Sequence, residues 1–348
     1  MAGDGIAVRS GLRLTTARFL RDRVAVAGLA VFAFVAAASF GGGPLLSSLL
    51  GHNGFTQFPY AVVDTGTGLR PVGMWSRVPT TQQVRVDNYG GTLPAPKNAS
   101  TTLLIAGADG PLGRDELIRV LDGGKASLEV GLGAVLVAVL IAVPLGSAAG
   151  FFGGAVDSVV SRLTETLMAF PLVLFLVFAS VRLSPTLRPI GWGRVIPSGV
   201  PMMALLIGIF TSFYPLRLVR AQLLGLRSAE FVEAARALGS SSVRILRSHL
   251  LPHLVPTLLV WGAVAVATNM LLEVGLSVIG VGVQASTATW GSLLATTTGT
   301  IYSASPANTE NYTIWQTLFP SLAILVAVVS LNQVSEGLRR ALEPRDLA

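Results

Sequence analysis

The sequence predicts an all-α, polytopic membrane protein with about six spanning helices and an extracytoplasmic insert between the first two, and three observations carry that prediction. The 348 residues are 51% hydrophobic and 12% charged, with mean hydropathy +0.66, whereas a soluble globule has about a quarter of its residues charged. The apolar residues are gathered into runs close to the roughly 20 residues that a helix rising about 1.5 Å per residue needs to cross about 30 Å of hydrocarbon. Arginines stand in short clusters beside those runs and form no single basic face, so the +7 net charge points to membrane topology and away from nucleic acid. The chain has no cysteine, which excludes disulfides, thiolate metal sites and cysteine nucleophiles.

The first apolar run, Val24 to Phe40, follows Arg13, Arg18, Arg21 and Arg23. Ala36 to Ala38 would suit a signal-peptide cleavage site, but the run is long for a leader and further spans follow, so it reads as an uncleaved first helix. Residues 41–125 are polar and rich in Gly, Thr, Pro and Asn, including Asp64-Thr-Gly-Thr-Gly68 and Leu93-Pro-Ala-Pro96. Alternation at Gln82–Val86 and Thr101–Ile105 predicts short strands in this insert and pre-helix segment. The remaining spans are Leu128–Phe151, Val159–Val181, Val200–Val219, Leu254–Ile279 and Leu318–Leu338. The chain thus divides into an N-terminal segment (1–23), a first helix (24–40), the insert (41–125), a transmembrane core (126–338) and a tail (339–348). Within the core, residues 220–253 are amphipathic and too charged to cross, and Gly282 to Gln316 contains neither Lys nor Arg.

Cytoplasmic loops keep Lys and Arg while short translocated loops lose them. Placing both termini in the cytoplasm puts Arg9 to Arg23, then Arg217, Arg220, Arg227, Arg236, Arg244 and Arg247, then Arg339, Arg340 and Arg345 on that side. The insert carries basic residues outside, but it exceeds the roughly 60 residues over which the rule acts. Arg182, Arg188 and Arg194 run against this orientation.

The stretch Ser228-Ala-Glu-Phe-Val-Glu-Ala-Ala-Arg-Ala-Leu-Gly239 predicts a short amphipathic helix. Phe231, Ala234, Ala235 and Leu238 share one face by i, i+3, i+4, i+7 spacing. Glu230 and Glu233 suit the positive N-terminus, and Gly239 followed by serines ends or bends the helix. By pattern alone such a helix either fills a partner's groove or lies on lipid headgroups.

Glu233-Ala-Ala-x3-Gly239-x9-His249-x-Leu251-Pro252 resembles the EAA loop of binding-protein-dependent ABC importer permeases, with His249 where many members carry Ile. Gly113-Arg-Asp-Glu-Leu-Ile-Arg-Val-Leu-Asp-Gly-Gly-Lys-Ala-Ser-Leu128 is similar to the segment before the second helix in the oligopeptide/dipeptide (OppC/DppC-like) branch. Val143-Pro-Leu-Gly146, Ala169-Phe-Pro171, Gly280-Val-Gly282, Trp290-Gly-Ser292, Leu318-Phe-Pro320 and Ala341-Leu-Glu-Pro-Arg345 resemble the same branch in the same order. Two departures stand: Gly107-Ala-Asp109 replaces the Leu-Gly-Thr-Asp usual before Gly113, and the first extracytoplasmic loop is unusually long.

The resemblance implies a type I ABC importer permease fold and a non-catalytic subunit. It would pair with a second, homologous permease, sit on two ATPase subunits or domains that bind ATP and Mg, and receive cargo from an extracytoplasmic substrate-binding lipoprotein in a bacterial plasma membrane. Di- or oligopeptides are the implied cargo, with nickel, glutathione or another small solute as the alternative. The EAA loop would be the coupling helix, with Glu230 and Glu233 for docking polarity, Ala234 and Ala235 for close approach, Gly239 for the turn, and Leu251 and Pro252 completing the motif.

Other chemistry is poorly supported. Gly123-Gly-Lys125 lacks both the upstream Gly and the Ser or Thr of a phosphate-binding loop. His52, His249 and His253 are the only histidines; they read as solvated or interfacial rather than as metal ligands. No H-E-x-x-H is present, and no His or Lys lies inside a span to activate a serine. An ion-gradient-driven transporter would show inverted repeats or paired broken helices, which the two halves do not display. Three intramembrane polar groups remain as pathway or interhelical candidates, because burying charge in lipid costs at least about 2.5 kcal/mol. Glu165 has Arg162 one turn before it, as a local ion pair. Glu273 has Asn269 as a polar neighbour at i, i+4 spacing; pathway lining and interhelical hydrogen bonding are both open to it.

Overall fold

The computed structural model describes residues 15–64, 69–81, 95–96, 98–183, 199–283, 287–302 and 314–342. In chain order, α1 (Arg23–Ala37) continues through a π-helical turn, Ala38–Gly42, into α2 (Gly43–Leu50). Six short strands follow: β1 (Val62–Asp64), β2 (Leu69–Pro71), β3 (Ser76–Pro79), β4 (Thr101–Leu104), β5 (Ala108–Asp109) and β6 (Arg114–Asp115). Then come α3 (Glu116–Phe152), α4 (Gly154–Met168), α5 (Leu172–Phe178), α6 (Val200–Thr211), α7 (Phe213–Leu226), α8 (Glu230–Ala237) and α9 (Ser242–Ile245). A second π turn, Leu246–Leu250, leads into α10 (Leu251–Val278), followed by α11 (Trp290–Tyr302) and α12 (Ile314–Leu342).

Among the described residues, four helical stretches are long and apolar enough to cross a membrane, and up to six if each bent pair, α4–α5 and α6–α7, is one span. Several features differ from the sequence expectation. The second helix starts at Glu116, not Leu128, because Asp115 Oδ1 accepts the Leu117 and Ile118 amides at 2.9 and 3.2 Å and caps it. Lys125 is therefore an exposed helical residue. The third span is bent by 86° between α4 and α5, where Pro171 has no amide hydrogen to continue the ladder. The gap before the last span holds α11, whose 13 residues reach only about 20 Å. Thr101–Leu104 is a strand as expected, while Gln82–Val86 lies outside the described residues.

Contacts group the chain into two units, residues 1–32, 129–272 and 328–348 in the first and 33–128 and 273–327 in the second. In the first, α3 turns small residues inward and large ones outward. Ala134, Ala138, Ala142 and Ala149 are fully buried while Leu132, Leu136 and Leu140 are exposed, the arrangement expected where lipid is the solvent and close helix approach supplies the packing. Gly146 and Gly150 complete the stripe: a Cβ there would stand 2.8 Å from the Leu216 carbonyl oxygen and 2.7 Å from that of Arg220, so backbone meets backbone between α3 and α7. Asp157 on α4 accepts from Arg220 on α7, with Nη2 to Oδ2 at 2.8 Å.

In the second unit the insert is built from three antiparallel two-stranded ladders, β1 with β2, β3 with β4 and β5 with β6. The register Ser76↔Leu104 and Val78↔Thr102 turns Val78 and Leu104 into a small core with Phe58, Ala61 and Ala108. Beside it, His52 is buried, with Nε2 3.0 Å from Asp115 Oδ2 and its ring edge-on to Phe58. This corrects the reading of His52 as a solvated or interfacial histidine: the carboxylate that makes burial acceptable comes from a residue 63 positions away. Asp109 accepts from Arg114 Nε at 2.9 Å, with Arg114 Nη2 2.6 Å away, and lies 2.7 Å from Arg119 Nε, the latter an ion pair without directed hydrogen-bond geometry. Gln316 at the start of α12 donates to the Ala108 carbonyl at 3.1 Å.

Candidate functional site

Two arrangements hold the residues singled out by sequence. The first is α8 with its flanks. Ala229, at the N-cap, has extended backbone and offers no side-chain cap; Glu230 and Glu233 in the first turn provide the negative charge that the helix N-terminus favours. At the other end Gly239 takes φ +77°. Its amide donates to the Arg236 carbonyl at 2.9 Å and the Ser240 amide to that of Ala235 at 3.0 Å, the paired bonds of a Schellman stop that needs a left-handed residue.

The helix is held by Val232 and Ala235, which enter a cluster with Phe151, Val219, Leu223, Ile245, Leu250 and Leu254. That leaves Phe231, Ala234 and Leu238 on the outside, Phe231 40% and Leu238 87% exposed. The expected face is therefore split. Ala235 is turned inward, because Val232 at i−3 gives the helix a second apolar edge, and the free stripe is Phe231, Ala234 and Leu238 with the exposed Glu230 and Glu233 beside it. Phe231 is braced by the His253 ring, stacked at 5.5 Å and 13°, and Arg236 lies over the Phe151 ring at 5.9 Å. Leu251 packs against the same cluster, and Pro252, half-buried, follows it in the first turn of α10. His253 Nδ1 and the His249 carbonyl oxygen are 2.6 Å apart, and among the described residues no group of three or more His, Asp and Glu side chains could hold a metal ion.

The second arrangement surrounds Glu273, which is fully buried. Its Oε1 accepts from Ser277 and Thr289, both at 2.8 Å, and its Oε2 from Ser127 at 3.2 Å. Ser127 in turn accepts the Trp290 amide at 3.1 Å, and Trp290 Nε1 donates to the Val120 carbonyl at 2.8 Å. A Cβ on Gly291 would stand 2.8 Å from Val274 Cα, so α11 meets α10 at backbone distance. Three hydroxyls satisfy the carboxylate and no cation pairs with it among the described residues; the junction joins α3, α10 and the start of α11. The bond from Ser127 is interhelical, one of the two roles open to Glu273.

Asn269 is buried, yet it is not a partner of Glu273, and its Nδ2 has no hydrogen-bond partner among the described residues. Glu165 is exposed on α4 and, among the described residues, makes no ion pair with Arg162; the charge pair that α4 does form is Asp157 with Arg220. That pair, Ser127 and Thr289 were missed by sequence reasoning. Only the placement of Asp157 and Arg220 at the ends of apolar runs hinted at them.

Residues 142–346 match the family model described as "Binding-protein-dependent transport system inner membrane component". The chain is 30% identical to the oligopeptide transport system permease protein OppC of Escherichia coli (strain K12) over 329 residues, 94% of this chain and 89% of that one. It is 32% identical to the dipeptide transport system permease protein DppC of Alkalihalophilus pseudofirmus over 235 residues, 67% of this chain and 69% of the relative. Among solved structures, an inward-facing MetNI methionine ABC transporter aligns at 18% identity with a TM-score of 0.48, covering 65% of this chain and 97% of that one.

Proposed function

The chain belongs to the family of binding-protein-dependent transport system inner membrane components, which makes it a permease subunit of an ABC importer, and from that premise we propose that it forms half of a translocation path for di- or oligopeptides. The peptide cargo is supported by the relatives named as oligopeptide and dipeptide permeases. A second permease would complete the path, two ATPase subunits or domains would bind ATP and Mg, and a substrate-binding lipoprotein would deliver the peptide from outside. Both termini and residues 220–253 face the cytoplasm in this reading, which most of the arginine clusters favour.

The observation that carries the proposal is the split of α8: Val232 and Ala235 root it in the permease while Phe231, Ala234 and Leu238 stay exposed. A rigid helix with one anchored and one open apolar edge transmits a push from a partner's groove into α7 and α10 as a rigid body. The insert over 41–100, with Trp75 67% exposed at φ +59°, would contact the binding protein at the outer mouth.

The test is peptide-stimulated ATPase activity of the co-expressed complex in liposomes, comparing wild type with Glu233→Ala and Gly239→Asp. Persistence of the assembly with loss of stimulation supports the reading. If no ATPase co-purifies and the chain binds or moves ligand alone, the importer assignment fails.

A further inference from the structure

Between α4 and α5 the helix breaks inside a bent span, and a cavity of about 260 Å³ opens at the break. Met168, Phe170, Phe175, Phe210, Phe213 and Tyr214 form most of its wall. The rings are arrayed in contact, Phe170 with Phe175 at 6.5 Å between centroids and Phe175 with Phe210 at 4.2 Å. Arg217, one turn beyond Tyr214 on α7, sets its Nη1 3.8 Å from Met168 Sδ, and among the described residues it has no carboxylate partner. None of this is used by the coupling surface on α8 or by the Glu273 junction.

Three physical points define what the cavity takes. A helix interrupted inside a span leaves last-turn carbonyls without helix partners; hydrocarbon cannot satisfy them, so such breaks persist where protein buries them or where water fills the adjoining space. Here the chain does not cover the break, since Phe170 is 57% and Tyr214 51% exposed. In secondary transporters, broken helices beside a cavity hold cargo, and the α4–α5 break shares that local geometry. At about 260 Å³ the space is smaller than the pockets of about 300 Å³ and more that enclose drug-sized ligands; it suits one or two side chains rather than a whole oligopeptide. Aromatic faces favour an apolar or aromatic group, and Arg217 beside Met168 offers a fork for a carboxylate.

We propose that this aromatic cavity is a cargo site at the cytoplasmic end of the membrane path, holding an apolar or aromatic side chain of the peptide in transit while Arg217 engages its terminal carboxylate. The inference rests on the peptide-importer reading above and adds a selectivity element inside the permease.

The cysteine-free chain makes the test direct. In the full complex with its partner permease, ATPases and binding protein, Phe170→Cys and Tyr214→Cys are exposed to a charged, membrane-impermeant thiol reagent, with Leu174→Cys, 67% exposed on α5 and outside the cavity lining, as the control. The expected result is modification of the two cavity positions that a phenylalanine-containing peptide delivered by the binding protein slows, with no such protection at Leu174→Cys. In parallel, Phe210→Ala and Phe210→Leu should lower the transport preference for Phe-containing over Ala-only peptides by about tenfold, the scale on which a hydrophobic pocket discriminates. Unreactive cavity cysteines, reaction that peptide does not slow, or labelling by a photoactivatable phospholipid instead would overturn the cargo site while peptide-stimulated ATPase in the same complex leaves the importer reading intact. Absence of any stimulated ATPase overturns both.

Discussion

Glu273 on α10 and Thr289, 16 residues on, are joined by a 2.8 Å hydrogen bond from the threonine hydroxyl to Oε1, inside a fully buried site whose other donors are Ser127 and Ser277. The carboxylate organises three hydroxyls at once, so its removal is felt by each of them. Glu273→Leu should strand them in a dry site at about 1–3 kcal/mol per unsatisfied group, seen as a large loss of folded yield and a lower unfolding temperature in detergent. Glu273→Gln keeps one acceptor oxygen and the shape, and should cost about 1 kcal/mol. Equal behaviour of the two variants would deny the junction its hydrogen-bonding role.

On α8 the two edges should respond oppositely. Leu238→Asp, at an 87% exposed position, should leave the permease's thermal stability unchanged and weaken ATPase association by about tenfold or more, as for an interface anchor. Val232→Ala, fully buried, should instead destabilise the α8 anchor by about 1–3 kcal/mol. Pull-down with the ATPase and thermal unfolding on the same preparations separate the two.

The α3–α7 contact gives a steric prediction. Gly150→Ala places a methyl 2.7 Å from the Arg220 carbonyl oxygen and 2.9 Å from Leu223 Cβ, and overpacking of this kind costs about 1–3 kcal/mol. Gly275→Ala, with nothing within 4 Å, should be neutral or raise helix stability by up to about 1 kcal/mol. Unfolding temperatures of the two variants check the difference.

Trp75 holds φ +59°, a backbone region costly for a bulky residue. Trp75→Gly should relieve that strain and stabilise the insert, while weakening binding-protein docking if the exposed ring is a contact. Affinity measured by titrating binding protein onto the complex decides it: unchanged affinity would remove Trp75 from the outer contact surface.

Much of this was legible from the chain alone. The apolar runs announced the spans, because any backbone in hydrocarbon must close its own hydrogen bonds within a helix. Residues 230–239 announced a helix and its stop, because 3.6-residue periodicity and a left-handed glycine are local facts. The split face of α8 was less legible, since Phe231/Ala234/Leu238 and Val232/Ala235 both satisfy helical spacing and only the neighbours decide which edge is buried. α11 was missed because its Thr and Gly content gives no long apolar run, and the early start of α3 because its first turns, capped by the Asp115 side chain, are too polar to read as part of a span.

The sequence by itself determined that the chain spans a membrane, where its polar insert falls, and that a short amphipathic helix ends at Gly239; hydropathy, length and periodicity are properties of contiguous residues. Tertiary structure alone decided that Glu273 is satisfied by Ser127 and Thr289, that His52 is buried against Asp115, and that Phe175 and Phe210 meet beside the break at Pro171. Each of those joins residues that are distant in the chain, and the cost of burying a polar group depends on the partner that folding brings to it, which no local pattern encodes.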